Sequence, residues 1–193
     1  MNILDKIMAH KKLEVAKLMR EVSLEKLVKS PNFNRTPISL KNALTTKNST
    51  GIIAEFKRKS PSKGIINDKV APLEVVIKYE EFGASGISIL TDKDFFGGSF
   101  EDILSVRNSV NIPILRKDFM VDEFQIIEAK SCGADAILLI AAVLTRSRRI
   151  LGSISCNVFK MIFATAKSRT HFTSAGMTYH GACGREVSRR TSS

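Results

Sequence analysis

"FGASGISIL", residues 82–90, and "CGADAILLI", residues 132–140, read as one pattern written twice. Each is a helix end, then Gly-Ala, then an apolar strand. Such an echo at a fixed period is the mark of a repeating strand–helix unit. Between and around the two copies the alternation continues. "GIIAEFKR" (51–58) is strand-like, and "APLEVVIKYEEFGA" (71–84) is a helix with Pro72 in its first turn and Gly83 past its end. "GGSFEDILSVRNSV" (97–110) is a helix that Ser99 and Asp102 open with a capping-box pattern. "NIPILRKDF" (111–119) is a strand, and "VDEFQIIEAKSCGA" (121–134) is a helix capped by Asp122 and stopped at Gly133. "DAILLIAAV" (135–143) is a nearly all-apolar strand. Strands separated by helices of this length pair in parallel, and their apolar character predicts burial on both faces. The class is therefore α/β. A doubly wound sheet and a (β/α)8 barrel both satisfy the order of elements.

The first thirty residues read as helix. Ile3, Leu4, Ile7, Met8, Leu13, Val15, Leu18 and Met19 form a broken apolar stripe, and Ser23 is placed to cap a second short helix. A connection follows, with a helical piece near residues 40–44. At 193 residues the chain is long enough for one sizeable domain. No apolar run approaches the roughly 20 residues of a membrane span, and the opening "MNILDKIMAHKK" has no apolar signal-peptide core. The expected location is cytoplasmic. Cys132, Cys156 and Cys183 form no CxxC pair, and His10, His171 and His180 have no metal-ligand spacing, so no metal is expected.

The net charge of +11 is unevenly spread. Residues 1–144 hold 21 basic and 18 acidic side chains; residues 145–193 hold nine basic ones against a single acid, Glu186. The basic tail lacks regular aromatic interleaving or any binding motif, which weighs against a nucleic-acid partner.

Charges inside the strand pattern are more telling. Alternation puts Glu55 and Lys57 on one face at the C-terminal end of the first strand, and Lys117 closes the third strand in the same way. In parallel α/β folds, ligands bind at these ends. A lysine there can hold a carboxylate or act as a general acid, and a glutamate beside it can act as a base. The plainer alternative is solvated strand-end charge. The following loop "KSPSKG" (59–64) is of the kind that carries function on a rigid scaffold, and neither GxxxxGK[ST] nor GxGxxG is present.

Four stretches, "ILDKIMAHKKLEVA" (3–16), "IIAEFKRKSPSKG" (52–64), "SILTDKDFFGGSFEDI" (88–103) and "IPILRKDFMVDEFQIIEAKSCGADAILLI" (112–140), closely resemble the indole-3-glycerol-phosphate synthase family. The resemblance runs from Met1 to Leu144. It implies a TIM (β/α)8-barrel fold with a helical extension at 1–48, the first half of the barrel, about four strands, at 49–144, and a tail without family motifs at 145–193. It implies a carboxy-lyase of tryptophan biosynthesis that closes the ring of 1-(2-carboxyphenylamino)-1-deoxyribulose 5-phosphate, releasing carbon dioxide and water, with no metal or organic cofactor. The partner is thus a phosphorylated small molecule, not a membrane.

By the same resemblance Lys117 looks like the general acid at the substrate carbonyl. Lys57 looks like the partner of the substrate carboxylate, and Glu55 like the group that orients both lysines. Ser60 and Pro61 resemble substrate-side loop residues. Phe96, Phe119 and Leu138 resemble an apolar wall for the aromatic ring, although all three also suit a core. The tail lacks the family's later strands and phosphate loops, so the expectations are a frameshifted or disordered end, open edges on the first and fourth strands that favour self-association, and little or no turnover. A non-catalytic product of such a gene is the alternative reading, and nucleic-acid binding through the tail is a weaker one.

Overall fold

The computed structural model describes residues 2–140 and the backbone of 162–166. Helix α1 (Ile3–Glu21) starts at Asn2, whose side chain accepts from Asp5 N while the Asp5 carboxylate accepts from Asn2 N, a reciprocal cap. α2 (Leu24–Val28) is capped by Ser23, and α3 (Leu40–Thr45) by Ser39. Four strands then follow the expected order: β1 (Ile53–Phe56), β4 (Gly86–Leu90), β5 (Ile114–Lys117) and β6 (Ala136–Ile140). Between them lie α4 (Pro72–Glu81), α6 (Phe100–Arg107) and α7 (Phe124–Ser131). Gly83 and Gly133 sit at φ +83° and +87° just past α4 and α7, which is why the repeated Gly-Ala pair ends a helix in both copies.

Three small elements escape the sequence pattern. The loop after β1 folds into an antiparallel pair, β2 (Lys59–Ser60) with β3 (Gly64–Ile65). A one-turn helix, α5 (Lys93–Phe96), stands between β4 and α6; the Asp92 carboxylate caps it by accepting from Phe95 N and Phe96 N at 2.8 and 3.2 Å. At α7 the cap residue is Glu123, one position later than expected; the Asp122 carboxylate still accepts from Phe124 N at 2.9 Å.

The sheet has the order β1-β4-β5-β6-β7, where β7 (Ile162–Ala166) pairs in parallel with β6. This corrects two expectations. The sheet has five strands and not about four, and the fourth, β6, is not an edge. The remaining features expected of residues 145–193 lie outside the described residues. β1 is an edge of the described sheet. Among the described residues no helix is long and apolar enough to cross a membrane.

In-register neighbours of a parallel sheet point to the same side, so the pairings divide the side chains into two faces. Phe56, Ile87, Ile89, Ile114, Ile137 and Leu139 face the helices and join Val76, Ile103, Val106, Ile126 and Ala129 in the main core. Ile53, Leu115 and Ala136 lie on the opposite face at the N-terminal ends of their strands, where Leu40 and Leu44 of α3 close over them. Ile53 is half-buried under α3 and Leu138 is buried.

The N-terminal helices are bound in by polar ties as well. Asp135, fully buried at the start of β6, accepts from Arg107 Nη1 (2.5 Å), Ile38 N (2.7 Å), Ile114 N (2.8 Å) and the Arg35 guanidinium. Four donors on one carboxylate offset its desolvation.

Candidate active site

The inner face changes character along the strands, apolar under α3 and charged at the opposite, C-terminal ends. There Glu55 accepts from both expected lysines. Lys57 Nζ donates to Oε1 at 2.6 Å, and Lys117 Nζ donates to Oε2. β1 and β5 are not neighbours, since β4 lies between them. Lys117 therefore reaches across β4 to meet Glu55, sixty-two residues away in the sequence, and one carboxylate bridges two ammonium groups.

Burial pushes the Glu55 carboxyl up, but the hydrogen bonds and charges of Lys117 and then Lys57 outweigh it and hold it below the usual range. Glu55 therefore remains ionised at neutral pH. All three side chains are 28–29% exposed, open enough for a ligand to reach them. Ser88 lies in register with Glu55, beneath this group; its buried hydroxyl has no hydrogen-bond partner among the described residues.

The other expected site residues divide. Phe96, at the end of α5, and Phe119, just after β5, come together with ring centroids 6.1 Å apart and tilted by 39°. Leu138 is on the inner face of β6, by alternation from Ala136. Ser60 and Pro61 lie on the β2–β3 hairpin. Pro61 is exposed, and the Ser60 hydroxyl accepts from Lys63 N at 3.2 Å and pairs with the Ser62 hydroxyl at 3.4 Å. No hydrogen bond joins either residue to the lysine–glutamate group among the described residues.

The charge network behind the lysines has almost no signature in the sequence pattern. Lys11 of α1 is 1% exposed, and its Nζ lies 2.8 Å from Glu14, 2.9 Å from Asp92 and 3.1 Å from Asp118. Asp92 follows β4, and Asp118 follows Lys117 itself. Arg116, buried on the helix side of β5, donates to Asp118 at 3.1 Å and pairs with Glu128 at 2.7 Å. Burial pushes the Asp118 carboxyl up, but Arg116 and Lys11 outweigh it and hold it low. Burial likewise opposes the Lys11 ammonium, and its three carboxylates raise it above the ordinary lysine value. A second clamp joins Arg58, after β1, to Asp102 of α6 at 2.5 and 2.9 Å, with the guanidinium over the Phe56 ring. One signal was available for Arg116: in "ILRKDF" a cation falls on the face that the alternation buries, and a buried cation needs partners.

The only cluster of prospective metal ligands among the described residues is His10, Glu14 and Asp94, from α1 and α5. It is separate from the lysine–glutamate group, and the spacing of histidines and cysteines could not show it.

The family model described as indole-3-glycerol phosphate synthase matches residues 4–157, past Leu144 where the resemblance read from the sequence ended. Over 147 residues the chain is 49% identical to an indole-3-glycerol phosphate synthase of Bacteroides thetaiotaomicron, covering 76% of this chain and 56% of that protein. It is 49% identical over 145 residues to one of Prochlorococcus marinus strain AS9601, covering 75% of this chain and 49% of the relative. With one of Desulfotalea psychrophila it shares 45% over 150 residues, 76% of this chain and 56% of the relative. The chain thus spans about half the length of the curated relatives it matches. A parallel sheet backed by helices is part of that family's TIM barrel. The chain belongs to the indole-3-glycerol phosphate synthase family.

Proposed function

We propose that the lysine–glutamate group serves the ring closure of 1-(2-carboxyphenylamino)-1-deoxyribulose 5-phosphate to indole-3-glycerol phosphate. The observation that carries this reading is the Glu55 carboxylate held between Lys57 and Lys117 at the strand ends. In the reaction a carbon–carbon bond forms between the ring carbon bearing the carboxylate and the ketone carbon of the sugar chain. The carbonyl oxygen gains charge as its π bond breaks, and a cation aimed at it lowers the barrier. Lys117 is assigned to that oxygen and gives it a proton, leaving a hydroxyl. Lys57 is assigned to the substrate carboxylate, which departs as carbon dioxide and leaves its electron pair to restore the ring. The hydroxyl then leaves as water with a proton from Lys57, and the neighbouring CH2 carbon of the new ring gives up a proton, with Glu55 as its acceptor, as the ring double bond forms.

Glu55 keeps two ammonium groups side by side without mutual repulsion and orients each. Phe96 and Phe119 supply an apolar wall for the aromatic ring, with Leu138 on the inner face. Ser60 and Pro61 belong to a hairpin that meets the ligand from outside. The same reading places the protein in tryptophan biosynthesis in the cytoplasm, acting as a lyase without metal or organic cofactor. It includes no nucleic-acid partner, and it allows self-association along the β1 edge.

The test is formation of indole-3-glycerol phosphate by the full chain, alongside binding of a substrate analogue that cannot cyclise. Lys117→Ala should abolish turnover and leave the analogue bound. Lys57→Ala should weaken the analogue. Product formed equally well by Lys117→Ala, or an analogue that ignores both substitutions, would sink the assignment.

A further inference from the structure

We propose that His10, Glu14 and Asp94 form a binding site for a borderline divalent cation of the zinc, cobalt or nickel class, which pins α1 to α5. The site is independent of the ring-closure reading and takes no part in that chemistry.

Four observations carry it. First, His10 and Glu14 are one helical turn apart on α1, so their side chains project from the same face. Asp94 is brought to them from 84 residues away by α5, whose start the Asp92 carboxylate fixes. Second, one ligand atom from each residue lies within 4.8 Å of the others. Bonds of about 2.0–2.2 Å to a tetrahedral zinc ion place ligand atoms about 3.3–3.5 Å apart. His10 Nε2 and Asp94 Oδ2, now 2.5 Å apart, would open by about an ångström, and Glu14 would close by at most about 1.5 Å, within side-chain reach. Third, the imidazole is oriented by more than Asp94. Phe95 meets it edge-on, with ring centroids 5.5 Å apart at 83°.

Fourth, the surroundings hold too much negative charge. The ammonium of Lys11 is shared by Glu14, Asp92 and Asp118, and the guanidinium of Arg116 by Asp118 and Glu128. With Asp94, five carboxylates meet two permanent cations in one connected network. A divalent ion at the His10 end reduces that imbalance from three charges to one. Lys11 competes for Glu14 but is itself outnumbered three to one. One imidazole with two carboxylates, water filling the remaining positions, suits a borderline ion better than calcium or magnesium, which take oxygen ligands. His10 and Asp94 are 43% and 52% exposed, so the ion has a path in from solvent.

The experiment uses the full chain after chelator treatment, titrated calorimetrically with zinc chloride and followed by visible absorption with cobalt chloride. His10→Ala, Glu14→Gln and Asp94→Asn are compared with it. The expected result is a site filled by one ion per chain that His10→Ala weakens by at least about tenfold, with smaller losses for the carboxylate variants. Zinc should raise the unfolding temperature of the wild type and leave that of His10→Ala unchanged. Circular dichroism establishes that His10→Ala is folded. Cys156, Cys183, His171 and His180 are the competing ligands in the sequence. No binding, binding that all three substitutions leave intact, or cobalt spectra dominated by thiolate charge transfer would each overturn the proposal.

Discussion

Lys11→Met should remove about 3 kcal/mol of stability, far more than a lysine on a helix surface ordinarily contributes. The substitution keeps most of the side chain's apolar stem and deletes the charge. Three carboxylates lose a partner, with unequal consequences. Glu14 is over a third exposed and can turn to water. Asp118 keeps Arg116, the Thr91 hydroxyl at 2.7 Å and the Phe119 amide at 2.8 Å. Asp92 is fully buried: Oδ1 still caps α5, but Oδ2 loses its ion pair. Breaking a buried pair from one side costs about 3–5 kcal/mol, and the surviving partners of Asp118 put this case at the lower end. Against a total of about 5–15 kcal/mol the loss is easily read as a shift in the urea midpoint at neutral pH.

The internal control is Lys29→Met. It breaks a pair with Glu25 that is about three-quarters exposed on both sides, for about 0–1 kcal/mol. Asp92→Asn in the Lys11→Met background should recover part of the loss, because it removes the charge left unpaired. The pH dependence carries a sign. The depressed Asp118 group contributes stability that is present above its ordinary value of 3.8 and lost as pH falls through its lower folded value. Lys11→Met reduces that depression, so acidification below this value should cost the variant less than the wild type. The raised Lys11 group contributes stability that is complete below 10.5 and lost as pH rises above it, and the variant should lack that alkaline loss. A Lys11→Met protein as stable as Lys29→Met would refute the reasoning.

Two further outcomes follow from close contacts. A Cβ added at Gly98 would stand 2.0 Å from the Leu90 carbonyl oxygen and 2.5 Å from its carbon, both backbone atoms at the end of β4. Gly98→Ala should therefore destabilise the fold by at least about 1–3 kcal/mol in urea titrations, and a neutral result would contradict this packing. Cys132 is fully buried, its Sγ donates to Ala129 O at 3.0 Å, and burial pushes the thiol up to about 11. Peptide mass spectrometry should find it unalkylated in the native protein at pH 8 and labelled once urea unfolds the chain; rapid native labelling would contradict its burial.

The β/α order was legible because each main element is long enough to show its own period and carries its own punctuation. Pro72, Gly83, Ser99 with Asp102, and Gly133 mark helix ends through local chemistry that needs no tertiary context. What stayed hidden lacks either length or locality. α5 has four residues and β2 two, too short for a period to appear. β7 follows a stretch in which patterning is weak, so its "IFATA" did not stand out from its surroundings. Lys11 sits in an amphipathic helix among other lysines, and nothing within five residues reveals that it enters the protein and does not meet water. Glu55 and Lys57 were legible as a same-face pair because their relation is two residues long. Their meeting with Lys117 depends on strand order and register, which alternation alone does not supply.

That meeting also explains a choice the pattern leaves unremarked. Adjacent strands are about 4.8 Å apart, so β1 and β5 are separated by roughly twice that across β4. A lysine and a glutamate extended toward each other can span such a gap only where the intervening inner-face position is small. Ser88 occupies that position, in register with Glu55, in a strand whose neighbouring residues Ile87 and Ile89 are large because they face the helices. The alternation in "GISIL" therefore places Ile87 and Ile89 behind the sheet and leaves room in front of it at Ser88, while Leu90, on the same front face, lies in register with Lys117. The same economy appears after β5. Arg116 points back into a carboxylate network tied to α1, while Lys117, the next residue, points forward to Glu55. Two adjacent cations are stable because the strand sends them to opposite faces, each with its own anions. The charged end of the sheet thus depends on register as much as on residue type, and a one-residue slip in β5 would bury Lys117 and expose Arg116 in its place.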